Sequence, residues 1–179
     1  MDDHDEPLLR EPPAAGTEAE TLVGALERQR RIFAWKCADL DADGMLATAA
    51  ASTMTLGGLV KHMALVEDDL LSQRLLRLPP VPPGDPAHPD EGWHTTEADT
   101  PEQLVARWRE AVARARANLR DALADDGLDR LTTWTNRSGE PASIRCVLIH
   151  AIEEYARHVG HADLIRESVD GRVGEQPPD

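Results

Sequence analysis

The sequence predicts an all-α fold, a four-helix bundle with one long proline-rich connection between the second and third helices. Three observations carry that reading. Apolar residues recur at spacings of three and four in four separate stretches, with no strand-like alternation and no internal repeat. Hydrophobic residues make up 41% of the chain but aromatics only 3%, so Leu, Ala, Val and Ile must fill the core; with Arg and Glu they favour helix. The 179 residues suffice for one domain with a buried core, and strong helix breakers separate the periodic stretches.

The first helix is predicted from Glu18 to Cys37, where Leu22, Ala25, Leu26, Gln29, Ile32, Phe33 and Lys36 keep helical spacing. Asp39 to Gly44 breaks it. Thr55 is a fitting N-cap for a second helix running to about Leu76, with Leu56, Leu59, Val60, Met63, Val66, Leu70 and Leu71 as its apolar stripe. Pro79 to Asp99 is too rich in proline for helix, and a connection of that length often contributes to a site. Thr100-Pro101-Glu102 restarts helix, with a capping residue ahead of Pro at the first helical position. This third helix continues to about Ala124 on Leu104, Val105, Trp108, Val112, Ala115 and Leu119. A shorter connection, Asp125 to Pro141, leads to the fourth helix, Ser143 to Glu167, which ends before Asp170-Gly171. The expected organisation is an acidic, disordered N-terminal tail over 1–16, the bundle over 17–172 and a C-terminal tail over 173–179.

Several functions are disfavoured by charge and composition. A net charge of −14 repels phosphate backbones, so no nucleic-acid partner is expected. No apolar run approaches the ~20 residues needed to cross a bilayer. The start, MDDHDEPLLREPP, lacks a secretion signal, and the cytoplasm is the expected location. Cys37 and Cys146 are expected to be buried reduced thiols. There is no phosphate loop, no nucleophile elbow and no dinucleotide-binding fingerprint; Gly57-Gly58 reads as a close-packing spot. Arg107, Arg109, Arg114, Arg116 and Arg120 alternate with acids and Ala and read as a solvated face.

The polar residues on apolar faces are more informative. On the fourth helix His158 falls inside the arc of Ile144, Leu148, Ala151, Tyr155 and Ala162, with Glu154 one turn before it at the arc's edge. His161 and His150 lie further out on the same side. On the second helix His62 sits at the stripe's margin and Glu67 nearer its centre. A buried imidazole with a carboxylate one turn away needs something to satisfy both. Positions four apart have Cβ atoms ~5–6 Å apart, close enough to grip one ion, and a facing helix would bring His62. Two His and one carboxylate leave coordination positions open, as catalytic zinc sites do; nickel or ferrous iron would also suit them. The opposing reading has Glu154 and His158 bonded to each other or to an Arg, with His62 half-exposed and no ion. His161 is a surface residue or an outer partner of a ligating His. Glu67 would orient such a His or pair with Arg157, or else lie at an edge covered by loop. His150 is not expected to ligate. Trp93, in the long connection, is expected to wall the pocket that the connection roofs.

At these residues the chain resembles the DinB superfamily, and more closely its mostly actinobacterial DinB-like branch. The matching segments are Thr55-Leu-Gly-Gly-Leu-Val-Lys-His62, the Trp93 region with Asp99-Thr-Pro-Glu102, and His150 through Glu167 with Asp170-Gly171. The resemblance runs from about residue 18 to 172 and implies a DinB-type bundle with metal ligands at His62, Glu154 and His158. Many members carry His at the position of Glu154; a Glu there is similar to mycothiol-dependent maleylpyruvate isomerase. That enzyme's C-terminal extension has no counterpart here, which weighs against maleylpyruvate as substrate. The resemblance further implies a divalent-metal-dependent S-transferase-like enzyme that uses a low-molecular-weight thiol, such as mycothiol, on a small electrophile. It also implies a homodimer. The competing expectation is a non-catalytic bundle that binds metal or a small molecule as a sensor, or a structural dimer module.

Overall fold

The computed structural model describes residues 11–76, 93–95, 99–125, 127–136 and 138–175. Most of the proline-rich connection, and the ends of both expected tails, lie outside the described residues. Helix α1 spans Glu18–Cys37 as expected, opened by a capping box in which Thr17 and Glu20 satisfy each other's backbone N–H. A short helix α2, Ala42–Leu46, stands where only a break was expected; Asp41 caps it. Thr55 caps α3, Leu56–Asp68, through the Gly58 N–H. The helix then widens into a π-helical turn, Asp69–Gln73, before the chain leaves the helix at Arg74. Thr100 and Gln103 form a reciprocal cap for α4, Pro101–Asp125. Ser143 caps α5, Ile144–Asp170, which runs one turn past the expected end and stops at Gly171. That residue has φ 77°, a left-handed conformation that glycine adopts without strain.

The structure is the all-α bundle that the sequence predicts, with one small addition in the connection between α4 and α5. After a 3-10 turn, Gly127–Asp129, strands β1 (Leu131–Thr135) and β2 (Pro141–Ser143) form an antiparallel hairpin. Thr132 is buried and donates its hydroxyl to the Ala142 carbonyl, while Asn136 closes the turn by accepting from the Ser138 and Glu140 N–H groups. Five residues of alternation, LTTWT, were too short a signal to compete with the helical stretches around them.

Helix α1 packs along α5 and α3 along α4, and α3 also meets α5. With few aromatics, the core is aliphatic around a single aromatic knot. Phe33 meets Trp108 and Tyr155 edge-on, with centroids 5.5 and 5.9 Å away. Leu26, Leu59, Met63, Ile144, Leu148 and Ala151 are wholly buried around it. Cys37 is buried as expected, but Cys146 is exposed, because the first turn of α5 turns that position outward. Arg166, also buried, donates to the Lys36 and Ala38 carbonyls and so finishes the C-terminal end of α1.

A polar network crosses this core. Arg30 of α1 holds the fully buried Glu67 of α3 through two bonds, Nε to Oε1 at 2.8 Å and Nη2 to Oε2 at 2.5 Å. The Tyr155 hydroxyl donates to the same carboxylate at 2.5 Å and accepts from the Trp108 indole N–H at 2.9 Å. Glu67 therefore neither orients a histidine nor pairs with Arg157, which is exposed on α5, nor sits at a loop-covered edge. Its partner Arg30 falls on the apolar face of α1, four residues after Leu26 and three before Phe33, where an arginine needs a buried anion to satisfy it. Removing one member of a buried ion pair strands the other and costs ~3–5 kcal/mol, whereas replacing both with apolar groups is close to neutral or stabilising. Arg30→Ala is accordingly expected to lose ~3–5 kcal/mol in urea unfolding, and the double change Arg30→Met with Glu67→Leu far less.

Candidate metal centre

Helices α3 and α5 bring His62, Glu154 and His158 together, each offering a ligand atom within 4.8 Å of the others. They are the one group of three or more His, Cys, Asp or Glu side chains so arranged among the described residues. Glu154 Oε2 stands 3.6 Å from His62 Nε2 and 3.3 Å from His158 Nε2. His62 Nε2 is buried and has no hydrogen-bond partner among the described residues. Around a small divalent cation, neighbouring donor atoms stand ~3–4 Å apart. A buried nitrogen without a partner, aimed at a carboxylate and a second imidazole, is what such an ion would satisfy.

The electrostatics suit a cation. Burial pushes the His62 pKa down against the pull of Glu154. Burial, helped by the neighbouring His62, pushes His158 down to about 4, with Glu154 opposing. Burial alone would raise Glu154, but the imidazoles of His158, His62 and His150 outweigh it and hold the carboxyl below its ordinary range. At neutral pH the cluster thus offers two neutral imidazoles and one carboxylate, the forms that ligate metal.

The surroundings hold these groups in place. His161 Nδ1 lies 3.2 Å from His158 Nδ1. A lone pair on His158 Nε2 requires the ring proton on Nδ1, and His161 stands there to accept it. Trp93 stacks on His62 with centroids 3.8 Å apart and planes 14° apart, and lies 5.3 Å from the His158 ring. The segment carrying Trp93 is tied to α3 by Lys61, which donates to the His94 carbonyl at 2.8 Å. It can lie so close because α3 begins Leu56-Gly57-Gly58: a Cβ on Gly58 would sit 2.3 Å from the Trp93 carbonyl oxygen. The close-packing reading of Gly57-Gly58 is borne out. Trp93 therefore packs against the cluster, whereas most of the expected roof lies outside the described residues. His150, set aside as a ligand, has its Nε2 3.6 Å from the other Glu154 oxygen, Oε1.

A DinB-like helical bundle with a His, a Glu and a His facing one another across two helices is the class of protein that this fold and site define. The Mycothiol-S-transferase family model matches residues 21–171, and the chain belongs to that family. No curated protein matches the chain significantly. No described helix is long and apolar enough to cross a membrane.

The depressed pKa of His158 makes the metal-free protein acid-sensitive. The unfolded chain binds this proton below the ordinary histidine value of 6.5, and the folded chain resists it until about 4. Stability therefore falls as pH drops through that window, by up to ~3 kcal/mol from this group. Chelator-treated protein is expected to show this loss in denaturant titrations between pH 7 and 4, and His158→Asn to flatten the slope.

Proposed function

We propose that the protein is a metal-dependent S-transferase that joins a low-molecular-weight thiol, mycothiol, to a small electrophile. The observation that carries the proposal is the partnerless His62 Nε2 facing Glu154 and His158, in a chain of the Mycothiol-S-transferase family. His62, Glu154 and His158 would hold the divalent cation. Zinc suits this set of two nitrogens and one carboxylate, and nickel or ferrous iron could be held by the same donors. The bound cation supplies charge that lets a thiol lose its proton at neutral pH.

The chain's own residues do the rest. Glu154 contributes one negative charge, so the cation keeps a net positive charge toward an anionic sulfur. Glu154 and the two imidazoles also leave coordination room for that sulfur. His161 keeps His158 in the tautomer whose Nε2 can ligate. Trp93 holds the His62 ring and excludes water from one side. Cys37 cannot stand in for the external thiol: burial raises its pKa to about 12. We assign the nucleophilic sulfur to the co-substrate: the thiol gives up its proton to solvent, its sulfur forms a bond to carbon of the electrophile, and that carbon's bond to the leaving group, a halide for example, breaks with the electron pair going to the leaving group. By resemblance to the DinB superfamily we assign the protein a homodimeric state, and from its free cysteines a cytoplasmic location.

Elemental analysis of the untagged protein tests the ligand set. Wild type is expected to hold about one divalent ion per chain, and His62→Ala and Glu154→Gln to lose it, with affinity falling by more than the ~10–100-fold that loss of an outer partner costs. Unchanged metal content in both variants removes the proposed centre. Transfer is tested by conjugation of mycothiol to a fluorogenic halide such as monochlorobimane, which is expected to stop when the protein is stripped of metal and to return on adding zinc.

A further inference from the structure

The site does not end at its three ligands. His150 lies one turn before Glu154 on α5, leading away from His158. Its ring meets Trp134 of β1 edge-on, with centroids 6.0 Å apart. The Arg74 guanidinium lies over the same indole, 4.8 Å from its centroid. Three elements, α5, the hairpin and the end of the π-helical turn, therefore meet in a corner continuous with the Glu154 carboxylate.

Arg74 is held there in an unusual way. Its Nε and Nη2 pair with Asp69, at 3.2 and 2.5 Å, and its backbone N–H bonds the Asp69 carbonyl at 3.1 Å. In an α-helix, residues five apart point ~140° away from each other; the wider π turn brings them alongside. The turn thus fixes the guanidinium over Trp134 and leaves one donor over. Arg74 Nη1 is buried and has no hydrogen-bond partner among the described residues. An unpaired buried donor is costly and is normally met by a partner.

We propose that Arg74, Trp134 and His150 receive the body of the thiol co-substrate, remote from its sulfur, with an acceptor oxygen of that body on Arg74 Nη1. This inference rests on the metal–thiol reading above. It also selects among thiols. His150 adjoins the cluster at Glu154, and Trp134 and then Arg74 follow beyond its ring, so a molecule touching both the ligands and Arg74 needs a body that extends across these side chains with oxygen acceptors at its far end. Mycothiol, an N-acetylcysteine joined to a polyhydroxyl body, has that form. N-Acetylcysteine alone lacks that body. Asp69 already balances the Arg74 charge, so the corner takes neutral hydroxyl oxygens and does not require a carboxylate.

The test uses protein loaded with cobalt(II), in which thiol binding is read from the thiolate-to-cobalt absorption band. Mycothiol and N-acetylcysteine are titrated against wild type, Trp134→Leu and Arg74→Met, with cobalt content measured in each. Both variants are expected to retain wild-type cobalt, to bind N-acetylcysteine within about twofold of wild type, and to bind mycothiol about tenfold or more weakly. A weakening that is equal for the two thiols, or absent for mycothiol, overturns the inference and leaves the metal–thiol reading standing. Loss of cobalt in both variants assigns the corner a structural role and overturns it too. No absorption band with either thiol on wild type overturns the metal–thiol reading, and the corner's role with it.

Discussion

The bidentate grip of Arg30 on Glu67, shared with the Tyr155 hydroxyl, is the constraint on which the arrangement of this bundle depends. Apolar contacts between helices are tolerant of sliding; a carboxylate that must meet a guanidinium and a phenol inside the core is not. Glu67 stands five residues after His62 on α3, and Tyr155 stands between Glu154 and His158 on α5. The bond that joins Glu67 to Tyr155 therefore also fixes which turn of α3 faces which turn of α5. A slip of one turn, ~5.4 Å, would separate His62 from Glu154 and would leave Glu67 charged and alone. The geometry of the polar cluster is in this sense inherited from the core.

The cluster is also poised electrically by its depth. Both imidazoles are pushed toward neutrality by burial, while three histidines keep Glu154 ionised. Neighbours and desolvation act in opposite directions on acid and base, and the result is one anion among neutral donors. That balance would suit a cation, and it arises in a chain whose formal charge is already −14. The acidic surface bears on solubility and on which macromolecules are repelled; the local field at the site is set by a handful of groups.

The helices were legible in the sequence because long amphipathic stretches repeat their signal over many turns. Thr55 and Thr100 marked their starts and Gly171 the last end. The three candidate ligands were legible because His158 and Glu154 interrupt an apolar face and His62 sits at the margin of another. Arg30 falls on the apolar face of α1, but its partner lies 37 residues away, so the helix alone does not say what satisfies it. The hairpin was hidden by its length, the π turn because it inserts its extra width without altering the residue pattern, and the exposure of Cys146 because one position at a helix start decides it. The partner of Arg30, the hairpin and the π turn are fixed by tertiary contacts, beyond the reach of periodicity.

The hydrogen atoms of Gly58, where other residues would carry a methylene, have a consequence for how such a protein can change. The candidate ligands ride on long helices, while Trp93 and Trp134 ride on non-helical residues that rest on those helices by contact. Trp93 depends on one missing carbon in α3, and Trp134 on a hairpin of a few residues. Point changes in these pieces can recontour the cavity while the scaffold and its three-residue cluster stay intact, so lineages sharing this architecture can diverge in substrate choice without re-evolving the centre.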